Sequence, residues 1–327
     1  MKLSLFEILI TRPLGFIIRT IYGLVQNYGL SILLFTIIVK LILMPLQVKS
    51  QKAMKKQQKI QPIIAELQKK YADDKQKLQT EMMKVYKENG VSMSGGCLPL
   101  LIQFPILIGL YSVIRRPITY IRGVNFADEQ IIERVKTVIA QMTEKFPDVI
   151  GKLSTVSAEQ MQKNYQIQLS TWADKLGLAG EYGWHINFNF LGLDLSGVPS
   201  AALSAISRGD FSDMGTVLLI FIPIFAVLST WLSMRQSQKL TQNPSVKQND
   251  DDPSQSMSKS MNMMMPIMTG FFTFSLPSGI GIYWIISSLM QIIQQFALDK
   301  YLNEKEDDFV VKIPDKNRKN GKKSRRR

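Results

Sequence analysis

The sequence contains a single cysteine, Cys97, and a single histidine, His185. One cysteine excludes an intramolecular disulfide, and one histidine without neighbouring ligands excludes a structural zinc site. The phosphate-binding motif G-x-x-x-x-G-K-[ST] is also missing, because "VIGKLS" lacks both the upstream glycine and a hydroxyl residue directly after the lysine. We therefore expect no cofactor, no metal and no nucleotide-driven reaction, and we expect that the chain is not an enzyme.

Acidic residues are absent from the long apolar runs, apart from Asp213 at the very start of the third. Five such runs have about 17–22 residues, the length that crosses a hydrocarbon core about 30 Å thick. The sequence therefore predicts an all-α polytopic membrane protein with five transmembrane helices, at residues 28–48, 97–116, 213–234, 261–277 and 278–298.

The distribution of positive charge predicts the orientation of the chain. The segments 49–96, 235–260 and 299–327 together hold 26 of the 40 Lys and Arg residues, whereas loop 117–212 holds 8 basic and 10 acidic residues. Because cytoplasmic loops are rich in Lys and Arg, we expect a multi-pass protein of the bacterial cytoplasmic membrane with its N-terminus outside and its C-terminus inside. Residues 1–27 have no cleavable signal peptide pattern and predict an amphipathic helix in the interface.

Two cytoplasmic segments are predicted to be basic interaction surfaces. Residues 49–96 predict a helical hairpin that turns near Ala72-Asp73-Asp74 and closes on its own apolar seam. The hairpin is either a solvated spacer or an arm that contacts lipid headgroups, a ribosome or an emerging chain. The basic tail 299–327 is predicted to be disordered. It serves either as a topology signal that is attracted to anionic lipids, or as a contact with ribosomal RNA, or as both.

The long loop 117–212 has no function that the sequence reveals. "EQIIERVKTVIAQMTEKF" predicts one amphipathic helix, and "YGWHINFNFLGLDLSG" predicts short strands or interfacial structure. For His185 we expect a structural role.

Lys40 lies inside an apolar run, where a charge costs about 2.5–3.5 kcal/mol on insertion scales. The alternative to a functional role is snorkelling, but the cytoplasmic end of this run is roughly 12 Å away, which is about twice the reach of a lysine side chain. Two other spans also carry polar residues that lipid disfavours: Gln103 on the second, and Trp284, Ser288, Gln291 and Gln295 on one face of the fifth. These residues predict either interhelical hydrogen bonds or a hydrophilic cavity around Lys40.

Two stretches resemble one known family closely. The first runs from "GLSILLFTIIVKLILMPLQVKSQKAMKK" to "GGCLPLLIQFPILIGLY", and the second is "SLPSGIGIYWIISSLMQIIQQ". Both are similar to the core of the YidC membrane-protein insertases, and the resemblance covers about two-thirds of the chain once the third span is added.

The resemblance implies five spans around a hydrophilic groove that is open to the cytoplasm and to lipid. It places Lys40, where arginine is common in the family, and Thr36 and Trp284 in that groove; with the polar residues Gln103, Ser288 and Gln291 they form our predicted substrate site. It implies nascent membrane proteins as substrates. The basic tail and hairpin indicate the ribosome as a further partner, and the sequence leaves open whether the protein works alone or beside the Sec translocon. Two departures are expected: no large outer domain before the first span and no lipoprotein-type signal.

Two other functions remain open at the level of sequence. A channel or transporter would use Lys40 as an anion site, although the inverted repeats typical of many transporters are not evident. An intramembrane hydrolase would pair Lys40 with a serine, for which Ser31, Ser287 and Ser288 are the candidates.

Overall fold

A computed structural model describes residues 4–91, 98–209, 211, 213–241, 253–303 and 311. The described chain is mainly helical, with one two-stranded antiparallel sheet. A π-helical turn, Glu7–Thr11, precedes α1, and two 3₁₀ turns occur at Gly151–Thr155 and Leu218–Ile220. The other elements are α1 (Arg12–Val25), α2 (Tyr28–Ile42), α3 (Met44–Lys70), α4 (Lys75–Glu88), α5 (Leu98–Arg115), α6 (Pro117–Tyr120), α7 (Glu129–Lys145), α8 (Pro147–Ile150), α9 (Ala158–Asn164), α10 (Gln166–Lys175), α11 (Ala179–Tyr182), β1 (Asn189–Phe190), β2 (Leu193–Asp194), α12 (Pro199–Ser207), α13 (Met214–Val217), α14 (Phe221–Thr241), α15 (Pro253–Ser275) and α16 (Ser278–Asn303).

The predominance of helices and the apolar character of several of them confirm the prediction of an all-α polytopic membrane protein. Three of them are long and apolar enough to cross a membrane: Glu7–Val25, Met214–Gln238 and Ser278–Leu302. A fourth span results if α2 and α3 count as one broken span, and Gln103–Arg115 and Met263–Ser275 are apolar but shorter. The number of five spans stays a prediction.

The N-terminal helix carries apolar residues on both of its faces. Leu14, Ile18 and Ile21 are buried, whereas Leu9, Phe16 and Leu24 are exposed. This pattern fits a membrane span as well as an interfacial helix, so the assignment of residues 1–27 to the interface also stays a prediction.

The predicted first span, residues 28–48, is not one continuous helix. Helix α2 ends at Ile42 and α3 begins at Met44, with Pro45 in its first turn. Proline has no N–H to donate to the carbonyl of Leu41, so the α2 hydrogen-bond ladder cannot continue through residue 45. The carbonyl of Leu43 instead accepts from the N–H groups of Leu46 and Gln47, at 3.1 and 3.0 Å.

The chain divides into two compact units. The first unit is Met1–Ile42, Ile102–Ser233 and Asn262–Gln291; the second is Leu43–Leu101, Met234–Met261 and Ile292–Arg327. In the first unit, fully buried side chains from α2 and α5 form an apolar core that includes Ile32, Phe35, Leu110 and Ile114.

The described part of loop 117–212 folds mainly into helices. Helix α7 spans Glu129–Lys145, which confirms the predicted amphipathic helix, and it packs against α9 and α10. The apolar face of α7 is buried at Val135, Val138 and Met142. The prediction of short strands is confirmed by β1 and β2.

A segment of this loop, residues 187–197, is hydrogen-bonded to the ends of several helices; we call it the linking segment. The carbonyl of Asn187 accepts from the N–H of Tyr28 at 2.9 Å, and the carbonyl of Asn189 accepts from the Asn27 side chain at 2.7 Å. The carbonyl of Gly197 accepts from both the N–H and the hydroxyl of Ser278, at 3.1 and 2.7 Å. The linking segment therefore joins the start of α2 to the start of α16.

Close packing at glycine reinforces the same connection. A Cβ atom at Gly29 would lie 2.2 Å from the ring of Phe190, so only glycine lets the strand approach α2 this closely. The rings of Tyr28 and Phe188 pack edge to face beside it, with centroids 4.9 Å apart.

The second unit contains the predicted helical hairpin. Helix α3 ends at Lys70 and α4 begins at Lys75, where the side chain of Asp74 caps it by accepting from the N–H of Lys77. The seam consists of Ile60, Ile64, Val85 and Val91, with Val311 from the tail packed against it. Leu67, Met82 and Tyr86 also pack against it, which confirms the predicted apolar seam.

Some predictions fall on residues outside the described ranges. Cys97, residues 242–252 of the loop 235–260 and, apart from Val311, the tail beyond Asn303 are among them.

Candidate functional site

All six predicted site residues lie in the first unit. They come from three elements: Lys40 and Thr36 from α2, Gln103 from α5, and Trp284, Ser288 and Gln291 from α16. The site thus draws on distant parts of the sequence that fold into one compact unit.

Lys40 lies on the buried face of α2. Its residue exposure is only 7%, and Thr36 one turn earlier is fully buried. The opposite face, with Ile38, Leu41 and Ile42, is the exposed one. Lys40 is therefore directed to the protein side of the helix and away from its exposed face.

The end of α2 provides a favourable electrostatic environment for Lys40. The residue lies in the last helical turn, two positions before Ile42. The carbonyl groups at a helix C-terminus carry a partial negative charge, which stabilises a nearby cation by about 0.3–1 kcal/mol, and by more in partly buried geometries. The helix terminus thus offsets part of the cost of burying the ammonium group.

Thr36 does not need a partner on another helix. Its hydroxyl donates to the carbonyl of Ile32 at 2.7 Å within α2. The oxygen keeps its capacity to accept a hydrogen bond, so Thr36 offers an acceptor one turn from Lys40.

Gln103 connects α5 to α16. Its side-chain amide donates to the hydroxyl of Tyr283, which is itself buried. The interhelical hydrogen bonding that the sequence left open is therefore realised at Gln103. Tyr283 was missed because a tyrosine in an apolar run gives no signal until its hydroxyl is seen to have a partner.

Ser288 lies at a contact between α16 and α14 that is rich in hydroxyl groups. Its oxygen is 3.4 Å from that of Thr230, and both residues are buried. Other hydroxyls nearby bond to their own helix: Ser229 to the carbonyl of Ala226, and Thr273 to that of Thr269. Thr230 was missed by the sequence analysis, although polar residues inside an apolar run are the signal that identified Ser288.

Trp284 and Gln291 are both half-buried. The indole of Trp284 stacks on the ring of Phe272 in α15, with centroids 6.5 Å apart and planes 9° apart. Trp284 thereby contributes an aromatic surface between α15 and α16, and Gln291 follows it two turns later on the same helix.

The only histidine lies away from these residues, in loop 117–212. His185 Nδ1 is 2.8 Å from a carboxylate oxygen of Asp174. Across the ranges that the structure describes, no three His, Cys, Asp or Glu side chains form a group suited to a metal ion.

Comparison with known proteins decides the family. The model of the 60Kd inner membrane protein family matches residues 20–306, which is most of the chain. The chain belongs to the YidC family. This membership and the apolar helices make it a multi-pass protein of the bacterial inner membrane.

Individual relatives support this assignment. The chain is 28% identical over 316 residues to a protein of Clostridium perfringens named membrane protein insertase YidC, covering 96% of this chain and 92% of the relative. It is also 28% identical over 283 residues to the protein of the same name from Caldanaerobacter subterraneus, covering 86% and 90%. The match to the Treponema denticola protein of that name covers 90% of this chain but only 38% of the relative.

Proposed function

We propose that this protein is a membrane protein insertase that receives nascent membrane proteins at the buried face around Lys40. The observation that carries the proposal is the position of Lys40: a lysine on the protein-facing side of α2, in its last turn, in a chain of the YidC family. A buried cation in a membrane protein is costly and is usually kept for function.

The proposed role of Lys40 is to attract acidic segments of the client. A client chain presents a short outer segment, often acidic, followed by an apolar helix. With its ammonium group in a hydrophilic groove formed with Thr36, Gln103, Trp284, Ser288 and Gln291, Lys40 draws the acidic segment part of the way across the membrane.

The apolar helix of the client then leaves sideways into lipid past α14 and α16. A hydroxyl beside this contact favours such an opening, because Ser229 on α14 donates to the carbonyl of Ala226 in its own helix. Separating α14 from α16 therefore leaves this donor satisfied, and the weak pair of Thr230 and Ser288 needs to part.

Transfer of the client into lipid supplies the driving force. Each CH₂ group that enters an apolar environment contributes about 0.8 kcal/mol, so a transmembrane helix needs no nucleotide hydrolysis. A membrane potential that is negative inside adds about 2.3 kcal/mol per anionic charge per 100 mV for outward movement.

The remaining partners follow from the charge of the cytoplasmic segments. We propose an N-terminus outside and a C-terminus in the cytoplasm, with the hairpin 49–96 and the basic tail 299–327 facing the ribosome and anionic lipid headgroups. Clients that also need the Sec translocon would meet the protein beside it.

The proposal is tested by replacing Lys40 and measuring insertion of a client with an acidic outer tail into proteoliposomes. We expect Lys40→Ala to lower the inserted fraction several-fold and Lys40→Arg to retain it, because arginine keeps the charge. Lys49→Ala, at an exposed lysine nine residues later, is the matched control and should insert like wild type.

Two results would contradict this role. Equal insertion by wild type and Lys40→Ala would show that the charge does not act on the client. The alternative function, a channel, would be identified by two findings together. The purified wild-type protein would conduct ions but insert no client, and Lys40→Ala would abolish the ion flux.

A further inference from the structure

The turn between β1 and β2 has a leucine where the backbone favours another residue. Leu191 and Gly192 form the two-residue connection, with φ of +54° and +80°. Both positions require the left-handed region, for which hairpins normally use Asn-Gly or Gly-Gly. Leucine at the first position carries steric strain that asparagine or glycine would relieve.

The side chain of Leu191 gains no packing in return for this strain. It is 85% exposed, the highest exposure of any large apolar residue in the described part of the chain. A strained and exposed leucine contributes nothing to the folded core, so its apolar surface requires another explanation.

The turn lies against the start of a membrane span. A Cβ atom at Gly215 would be 3.3 Å from the carbonyl oxygen of Gly192 and 3.5 Å from the amide nitrogen of Asp194. Gly215 follows Met214, the first residue of the apolar helix Met214–Gln238. Leu191, the neighbour of Gly192, therefore lies near the N-terminal end of this helix.

Other exposed apolar residues occur at the same end of this helix. Met214 and Phe211 are both more than half exposed. Leu191, Phe211 and Met214 are thus exposed apolar residues near the start of the apolar helix Met214–Gln238, and we call these three residues the turn patch.

We propose that the turn patch, with Leu191 inserted deepest, enters the lipid leaflet on the side of loop 117–212. This insertion anchors the linking segment at the membrane surface. In the proposed orientation this is the outer leaflet. The contact involves acyl chains and not a charged headgroup, because the patch is apolar. The proposal depends on the span at Met214 and is independent of the role of Lys40.

The test places a fluorescent probe at the turn. In a Cys97→Ser background, the full chain with Leu191→Cys is labelled with an environment-sensitive fluorophore and reconstituted into nanodiscs with and without spin-labelled lipid. We expect blue-shifted emission and strong quenching by the spin label. The matched control is Glu133→Cys on α7, an exposed position that should show water-like emission and little quenching.

A second variant separates lipid contact from a structural role. Leu191→Asn suits the left-handed turn, so its thermal unfolding midpoint in detergent should equal or exceed that of wild type. A lower midpoint would show that Leu191 stabilises the fold and would overturn the proposal. Water-like emission from the probe at Leu191→Cys would overturn the proposal as well. So would a blue shift that the spin-labelled lipid does not quench and that appears only when a second copy or a client is present.

Discussion

At the scale of the residue, the position of Lys40 explains how a cation persists in an apolar helix. The side chain is buried, and the residue lies in the last turn of α2, near the partial negative charge of the helix C-terminus. The ending of α2 follows from Pro45, so one proline sets the electrostatic environment of a lysine five residues earlier.

A second residue, Tyr120, predicts a change of stability at alkaline pH. Burial, together with the hydrogen bond from its hydroxyl to Glu7 at 2.8 Å, raises the pKa of Tyr120 to about 12. The ordinary value in an unfolded chain is about 10. Between pH 10 and 12 the unfolded state loses this proton and the folded state keeps it, so stability that is complete below pH 10 is lost as the pH rises.

Tyr120→Phe should therefore flatten the decrease of the unfolding free energy between pH 10 and 12, by about 1 kcal/mol over that interval. The measurement is detergent-solubilised unfolding at several pH values, with Tyr165→Phe as a control at a partly exposed tyrosine. An unchanged pH slope in Tyr120→Phe would refute the assignment.

From the residues alone, members of the candidate site could be predicted only where a polar side chain interrupts an apolar run. Lys40, Gln103 and Ser288 stand out in this way. Their partners Tyr283 and Thr230 did not, because tyrosine and threonine occur in spans for several reasons and only the fold shows which helix they face. Whether the six residues line one groove stays a prediction.

At the scale of the element, an ion pair fixes the first arm of the hairpin to the end of α16 within the second unit. Lys55 Nζ is 2.9 Å from Asp299 Oδ1, and their side chains are 9% and 27% exposed. Removing one partner of a buried pair leaves the other charge uncompensated, and the penalty is larger for the more buried partner.

We therefore expect Asp299→Asn, which removes the carboxylate charge beside the buried ammonium group, to lower the free energy of unfolding by about 2–3 kcal/mol, and Lys55→Met to lower it by only about 1 kcal/mol. Unfolding in mixed micelles gives both values. The exposed pair of Lys84 and Glu81 is the control, and Lys84→Met should cost less than about 0.5 kcal/mol. Equal costs for the two changes in the buried pair would contradict the argument.

Elements with strong periodicity were predictable, and breaks and connections were less so. The hairpin and helix α7 follow from apolar residues at helical spacing, which local sequence determines. The end of α2 was missed because the apolar run continues past Pro45, although proline is itself a break signal. The linking segment could not be predicted, since its acceptors are backbone carbonyls that every residue possesses.

At the scale of the whole molecule, the charge distribution predicts the side of the membrane on which each segment lies. In a Cys97→Ser background, single cysteines at Lys75→Cys in the hairpin and Lys136→Cys in loop 117–212 report on the two sides. An impermeant maleimide added to intact cells should label only Lys136→Cys, because the hairpin is expected in the cytoplasm.

Permeabilised cells provide the control, since both positions are exposed and should then react. Labelling of Lys75→Cys in intact cells, with protection of Lys136→Cys, would reverse the proposed orientation. Labelling of both would indicate a mixed population.

The attachment of the linking segment has an implication for sequence divergence in this region. Asn187, Asn189 and Gly197 all accept through main-chain oxygens, which persist under nearly any substitution of those residues. The donors Asn27 and Ser278 use their side chains, so mutational sensitivity should concentrate on the helix ends. Outside the packed positions Phe188 and Phe190, a loop attached in this manner can change its composition while its path over the helices stays the same.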